Sequence, residues 1–279
     1  MTAPPNSRLA IACAQGEVTG DIAANGETIR TLISEAHTAG ARLVQFTEGA
    51  LSGYTRHQVA DWQALDRQVL RREIEETASL CGALGIWAVV GSGHPLTPPN
   101  RPHNSLYVFS DIGQLLTRYD KRLCSYNEIN NLFSPGFDPI VFEVDGFRFG
   151  LALCIEVAFP AVFAEYEALG VDAVLLSSYG LRGIERVQAQ AHAGTNCIWI
   201  GVAIPSELAG QGPAGVIAPN GQWISQAVGR LSIAVLDRTD AILDIALSKA
   251  RPWRRIASEG GIYRQRRVED PRSASRRLP

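Results

Sequence analysis

An unbroken apolar run, Phe149-Gly-Leu-Ala-Leu153, stops on a thiol, Cys154, and a carboxylate follows at Glu156. Such a run is long enough for one buried strand. Phe159 and Pro160 then open a helix, with proline near the first turn, where its missing N–H is no loss. A strand running directly into a helix is the unit from which open α/β sheets are built. The carboxyl ends of those strands are where such sheets gather ligands and catalytic groups. Helix N-terminal dipoles near that point lower a thiol's pKa, so the position predicts a reactive cysteine. A solitary cysteine usually just fills core space, and two other strand ends turn the reading away from that.

Read in order, the chain predicts a first strand over Arg8–Gln15 and a helix over Ile22–Ala39, ended by Gly40. A short central strand, Arg42–Thr47, delivers Glu48, which taken alone reads as a solvated loop carboxylate. A long amphipathic helix rich in Arg and Glu fills Asp61–Leu84, and Ile86–Gly91 is another buried strand. Prolines make Thr97–Pro102 a loop. Asn104–Phe109 and Leu115–Tyr119 form a hairpin whose second arm runs into Asp120-Lys121, and an irregular loop, Ser125–Gly136, surrounds Glu128. Asp145-Gly146 is a two-residue hairpin signal between Ile140–Val144 and Phe147–Leu153. Helices at Ala161–Leu169 and Glu185–Ala193 alternate with strands at Ala173–Leu176 and Cys197–Ala203. Gly215–Ala218 and the segment from Trp223 bracket a turn, and Leu231–Leu236 with Ile242–Leu247 complete a second strand-rich half. Strands and helices alternate, give way to hairpins, then alternate again. That order predicts mixed sheets with helices on the outer faces, a layered α/β sandwich.

Composition narrows the function. A net charge of −2 offers no general attraction to nucleic acid or to an acidic membrane. No apolar run reaches the length of a membrane span, and Met1–Arg8 lacks an apolar signal core, so a cytoplasmic home is expected. The cysteines, 13, 81, 124, 154 and 197, are odd in number and far apart, which argues against a disulfide framework or a zinc site. Neither a metal nor a Gly-rich phosphate loop is expected. Residues 1–269 read as a single domain. Residues 270–279, rich in Arg and Ser, read as a tail, flexible or packed on a partner subunit.

Glu48, Lys121 and Cys154 each follow a strand, and each is a different chemical tool. A thiol needs a base to become a nucleophile, and a desolvated carboxylate within reach can serve. A fixed ammonium can hold the oxyanion formed when a carbonyl or nitrile carbon is attacked. Lys121 and Lys249 are the only lysines, so few candidates exist for that role, and no Gly-x-Ser-x-Gly elbow competes.

These residues and their surroundings resemble the nitrilase, or carbon–nitrogen hydrolase, superfamily. The resemblance rests on Phe46-Thr-Glu48-Gly-Ala-Leu-Ser-Gly-Tyr54, Tyr119-Asp-Lys121-Arg-Leu123, Asn127-Glu128 with Phe133-Ser-Pro-Gly136, and Gly150-Leu-Ala-Leu-Cys154-Ile-Glu156 with Phe159-Pro160. Gln190-Ala-His-Ala193 with Asn196, and Gly215 to Gly221, add to it. It spans nearly the whole chain. It implies a four-layer αββα sandwich of two mixed sheets, which usually dimerises through helices after the nucleophile strand and through the C-terminal segment. It implies Cys154 as nucleophile, Glu48 as general base and then acid, and Lys121 as the cation on the tetrahedral intermediate. Glu128 matches a second glutamate beside this triad, and the Ile155 backbone N–H would be a further oxyanion donor. No cofactor is implied.

The expected reaction is hydrolysis of a small carboxamide through a thioester on Cys154, with ammonia released. No large synthetase domain is expected to channel it. N-carbamoyl compounds and nitriles stand behind the amide. Ile155 replaces the Trp usual after the nucleophile in nitrilases proper, and Val157 and Ala158 offer no carboxylate-clamping arginine of the carbamoylase kind. An inactive binding or scaffold protein of the same fold is the reading from another class. Ser177, Ser178, Tyr179 and Gly180, at the next strand end, are candidate pocket-wall residues, and His192 is expected to pack rather than react.

Overall fold

The computed structural model describes residues 6–55 and 58–274. Twelve strands form two six-stranded sheets. In the first, β1 (Arg8–Ala14), β2 (Leu43–Gln45) and β3 (Trp87–His94) run parallel at the centre. β4 (His103–Phe109) and β5 (Leu115–Asp120) continue antiparallel on one side, and β12 (Leu231–Asp237) closes the other against β1. The second sheet repeats the plan. β7 (Phe147–Leu153), β8 (Ala173–Ser177) and β9 (Trp199–Ala203) are parallel at its centre, flanked by antiparallel β6 (Val141–Val144), β10 (Gly215–Ile217) and β11 (Trp223–Gln226).

Parallel neighbours cannot be joined by a tight turn, so each junction needs a helix. These are α1 (Ile22–Thr38), α2 (Arg67–Leu84), α3 (Pro160–Ala168) and α4 (Gly183–Asn196). The side-chain period of two sorts the layers. Along β1, Leu9, Ile11 and Cys13 enter the core between the sheets, while Ala12 and Ala14 meet α1 and α2 on the other face. The second sheet is packed on both faces, which explains its continuous apolar strands. The result is the αββα sandwich. At the carboxyl ends of the central strands a polar seam joins the sheets: Gln45 Nε2 donates to Ser177 Oγ at 3.1 Å, and Ser177 Oγ to the Phe46 carbonyl at 2.7 Å.

Several boundaries and one element type differ from the sequence reading. Asp66, not Asp61, caps α2, its side chain accepting from the Gln68 and Val69 amides, so the helix begins at Arg67. β12 belongs to the first sheet, not to a second half. Ile242–Leu247 is not a strand: Asp240 caps a short turn of helix over Ala241–Leu243, and wide helical turns follow over Ile245–Ala250. Ile242 and Ile245 are 76% and 71% exposed, so their apolar spacing reflects no buried strand face. The Asp145-Gly146 hairpin forms as expected, with φ of +49° and +83° at the two turn residues. Of the expected tail, residues 271–274 form a short helical turn and 275–279 lie outside the described residues.

Candidate active site

Four strand ends and one loop converge. Glu48 sits in the turn after β2, fully buried rather than solvated. Close approach makes that turn possible: a Cβ on Gly91 of β3 would collide with the Thr47 carbonyl oxygen and crowd the Glu48 Cα at 3.0 Å. Lys121 follows β5, and its own amide donates to the Asn104 carbonyl at 2.8 Å while its carbonyl accepts from Gly136 N–H at 2.8 Å. Glu128 starts a single wide helical turn, Glu128–Leu132, inside the loop expected to be irregular. The Ser125 amide donates to its Oε2 at 2.7 Å.

Cys154 follows β7 with φ +46°, a left-handed conformation that costs an L residue roughly 1–2 kcal/mol. It ends the strand sharply, one residue after Leu153. Ile155 comes next, partly exposed, in the first turn of a short 3₁₀ helix, Cys154–Ala158, where an amide has no intrahelical acceptor.

The charged groups share one buried cluster. Lys121 Nζ lies 2.8 Å from Glu48 Oε1 and 2.8 Å from Glu128 Oε1, with all three side chains essentially solvent-free. Asn104 Nδ2 donates to the same two oxygens, at 2.8 and 3.3 Å. Tyr54 OH donates to Glu128 Oε1 at 3.1 Å, and the Tyr179 amide to Glu48 Oε2 at 3.1 Å. The two carboxylates are therefore not equivalent. Glu128 Oε1 accepts from Lys121, Asn104 and Tyr54 and its Oε2 from the Ser125 amide, whereas Glu48 Oε1 accepts from Lys121 and Asn104 and its Oε2 from the Tyr179 amide, four donors against three among the described residues. A carboxylate oxygen has two acceptor sites, so the Oε2 of each glutamate keeps one open, and what separates them is that the Glu48 charge bears more strongly on the Cys154 thiol than the Glu128 charge does. Lys121 likewise gives two of its three N–H bonds and keeps one.

Electrostatics sharpen the distinction. Burial alone would push the Glu128 carboxyl up, but the Lys121 charge and the Lys121 and Ser125 hydrogen bonds outweigh it and hold the group below its usual range. Burial would pull the Lys121 ammonium down, yet the Glu48 charge first, then those of Cys154 and Glu128, raise it well above its ordinary value. For Cys154 the expectation of a dipole-lowered pKa is overturned. Burial, and next the Glu48 charge, push the thiol up to about 12 against the pull of Lys121 and a Ser178 hydrogen bond. At neutral pH the sulfur keeps its proton, and a base must take it.

Of the proposed wall, Ser178 and Tyr179 touch the site through these contacts, whereas Ser177 belongs to the seam between sheets. Tyr54 stacks on Phe133 at 6.3 Å and lies 5.1 Å from the Tyr179 ring, and Trp62 packs on Phe133 at 5.2 Å, giving an aromatic side to the site. His192 packs as expected, stacked on Phe163 with Nε2 2.9 Å from the Val157 carbonyl oxygen. The sequence reading does not single out Asn104, Tyr54 or Tyr119. For Asn104 a signal exists: with Leu106 and Val108 it shares the inward face of β4, a lone amide ending an apolar row.

A layered αββα sandwich with an acid–amine–acid cluster beside a strand-end thiol defines a class of protein, the nitrilase superfamily. The family profile described as carbon–nitrogen hydrolase matches residues 10–255, and the chain belongs to that family. A Mycobacterium tuberculosis protein named only as a hydrolase is 28% identical over 188 residues, 62% of this chain and 62% of its own length. The chain thus matches less than two thirds of that relative. Among solved structures, an amidase from Nesterenkonia of the nitrilase superfamily superposes with a TM-score of 0.74 at 23% identity, covering 90% of this chain and 98% of the other. Saccharomyces cerevisiae Nit3, from branch 10 of the superfamily, gives 0.73 at 18% identity, covering 89% and 95%.

Proposed function

We propose that the protein hydrolyses the C–N bond of a small carboxamide through a thioester on Cys154 and releases ammonia. The observation that carries this reading is the buried Glu48–Lys121–Glu128 cluster beside the Cys154 thiol, with Glu48 the carboxylate that bears more strongly on the sulfur. Glu48 Oε2, with its open acceptor site, takes the Cys154 proton as sulfur adds to the carbonyl carbon. The uncommitted Lys121 N–H and the Ile155 amide receive the oxyanion. Glu48 returns the proton to the departing nitrogen, ammonia leaves, and the thioester remains. Water then attacks as Glu48 takes its proton, and collapse releases the acid and the thiol. Glu128, held below its usual range by Lys121 and the Ser125 hydrogen bonds, stays ionised and holds Lys121 in place. Ser178 and Tyr179 line the substrate's approach.

The Nesterenkonia amidase supports the chemistry by analogy. A glutamate-to-glutamine mutant of it is described with the acetamide moiety of fluoroacetamide covalently added at the active-site cysteine. Ammonia release from a panel of aliphatic amides, amino-acid amides, carbamoyl amino acids and nitriles tests the proposal. Cys154→Ala should abolish turnover of the preferred substrate, and Glu48→Gln should lower it by ~10²–10⁴-fold with the fold intact. No turnover anywhere on the panel, or near-normal activity in either variant, would defeat the reading.

The same proposal places the protein in the cytoplasm as a homodimer or larger homo-oligomer. All five cysteines are unpaired, which suits a reducing compartment. Phe159 before α3 and Ile184 and Val187 on α4 expose an apolar surface at 39%, 67% and 57%. Light scattering should report at least twice the 30.2 kDa chain mass, and a monomer at micromolar concentration would count against this part.

A further inference from the structure

We infer that Asn104 is a positioning residue that keeps Glu48 ionised beside Glu128, so that the thiol's proton has somewhere to go. The inference rests on the reading of Glu48 as the base. Two carboxylates on one ammonium leave a buried negative charge uncompensated. In a site sheltered from water, such a pair draws a proton onto one partner, as paired carboxylates do elsewhere. A protonated Glu48 could not accept from Cys154, whose sulfur holds its own proton.

Asn104 counters this at both ends. Its two amide N–H bonds are the only neutral donors shared by the two carboxylates among the described residues, reaching Glu48 Oε1 at 2.8 Å and Glu128 Oε1 at 3.3 Å. Its backbone carbonyl oxygen accepts the Lys121 backbone N–H at 2.8 Å, so the same position also fixes where the ammonium's stem begins. The side chain is 2% exposed and lies on β4 opposite a regular antiparallel partner, the Gly93↔Asn104 pair, so its aim is set by the sheet and not by a loop. Nothing in this role requires contact with the substrate.

Two variants and two pH profiles test it. Asn104→Ala removes both donors, and Asn104→Asp replaces them with a third carboxylate at nearly unchanged volume. The first profile is kcat/KM against pH on the best amide of the panel. The second is the alkylation rate of Cys154 by iodoacetamide, followed by peptide mass spectrometry, which needs no substrate. In Asn104→Ala, kcat/KM near pH 7 should fall ~10–100-fold, chiefly through kcat, and the acid limb of both profiles should move up by about one pH unit. Asn104→Asp should move it further. A residue that merely packs would lower the melting temperature and leave the limbs where they are. Unmoved limbs in the folded variants overturn the inference. If Asn104→Ala does not fold, the near-isosteric Asp variant alone decides. Near-normal turnover in Glu48→Gln would instead remove the base itself, a different failure from an essential Glu48 whose profile ignores Asn104.

Discussion

Glu156 has no assigned chemistry, yet it holds the site's two halves in register. It is wholly buried, and its oxygens accept from Tyr119 OH at 2.8 Å each, from the Arg122 and Leu123 amides at 2.9 and 3.0 Å, and from the Leu153 amide at 2.7 Å. The first three partners flank Lys121 and the last precedes Cys154, so one carboxylate ties the amine's segment to the thiol's. Those hydrogen bonds also help offset the strained φ of Cys154. A glutamine there keeps one acceptor oxygen and turns an NH₂ toward N–H donors. Glu156→Gln should therefore lower stability by about 2–4 kcal/mol in urea denaturation, and a loss under about 0.5 kcal/mol would show the carboxylate to be incidental. In the sequence, Glu156 is visible only as a charge two residues past a cysteine, because its four donors come from segments over thirty positions apart and from its own turn.

Strands were legible wherever burial on both faces removed any need for alternation, as in Phe147–Leu153 and Trp199–Ala203. Helices were legible wherever one stripe had to face a sheet, as in Ile22–Thr38, where Ile22, Ile29, Leu32, Ile33 and Ala36 are buried. Prediction failed where neither pattern holds. Residues 241–250 follow β12, and of their apolar side chains Leu243 and Leu247 meet the core while Ile242 and Ile245 are exposed, a mixture from which period alone could not separate strand from helix. The wide turn at Glu128–Leu132 was unreadable for another reason. Its entry is marked locally, by the Ser125 amide on Glu128 Oε2 and the Glu128 amide on Ser125 Oγ, but the burial of Glu128 against Lys121 and Tyr54 involves residues outside the loop, which the loop's own sequence does not show.

At the scale of the whole molecule, the two sheets share one plan, three parallel strands crossed by two helices, and they press their carboxyl ends together. No helix among the described residues is long and apolar enough to cross a membrane. The deep core also sets the pH range of stability. Burial pushes Cys13, Cys81 and Cys154 up to about 12, and Tyr107 up to about 12. In an unfolded chain thiols ionise near ~8.5 and tyrosine near ~10. Above that range the unfolded state has lost protons the folded state retains, so stability falls as pH rises. His94, lowered to about 4 by burial and then by the Arg118 charge, acts on the other side. The unfolded chain binds its proton near ~6.5 and the folded chain does not, so stability also falls as pH drops from there. Melting temperature should therefore plateau between about pH 6.5 and 8.5 and decline on both sides. A plateau extending to pH 10.5 would contradict the alkaline arm.

By itself the sequence determined the layers and the chemical inventory. Long apolar strands demand cover on both faces, amphipathic helices supply it, and a thiol, two acids and a lysine stand at ends and loops where no core would place them. Tertiary structure alone decided what those groups do to one another. How many donors each glutamate collects depends on an amide from β4, a phenol at position 54 and a backbone N–H at 179, and hydrogen bonds between segments so distant leave no periodicity to read. The sign of the thiol's pKa shift was likewise hidden, because desolvation is a property of everything packed around a group and not of its neighbours in the chain.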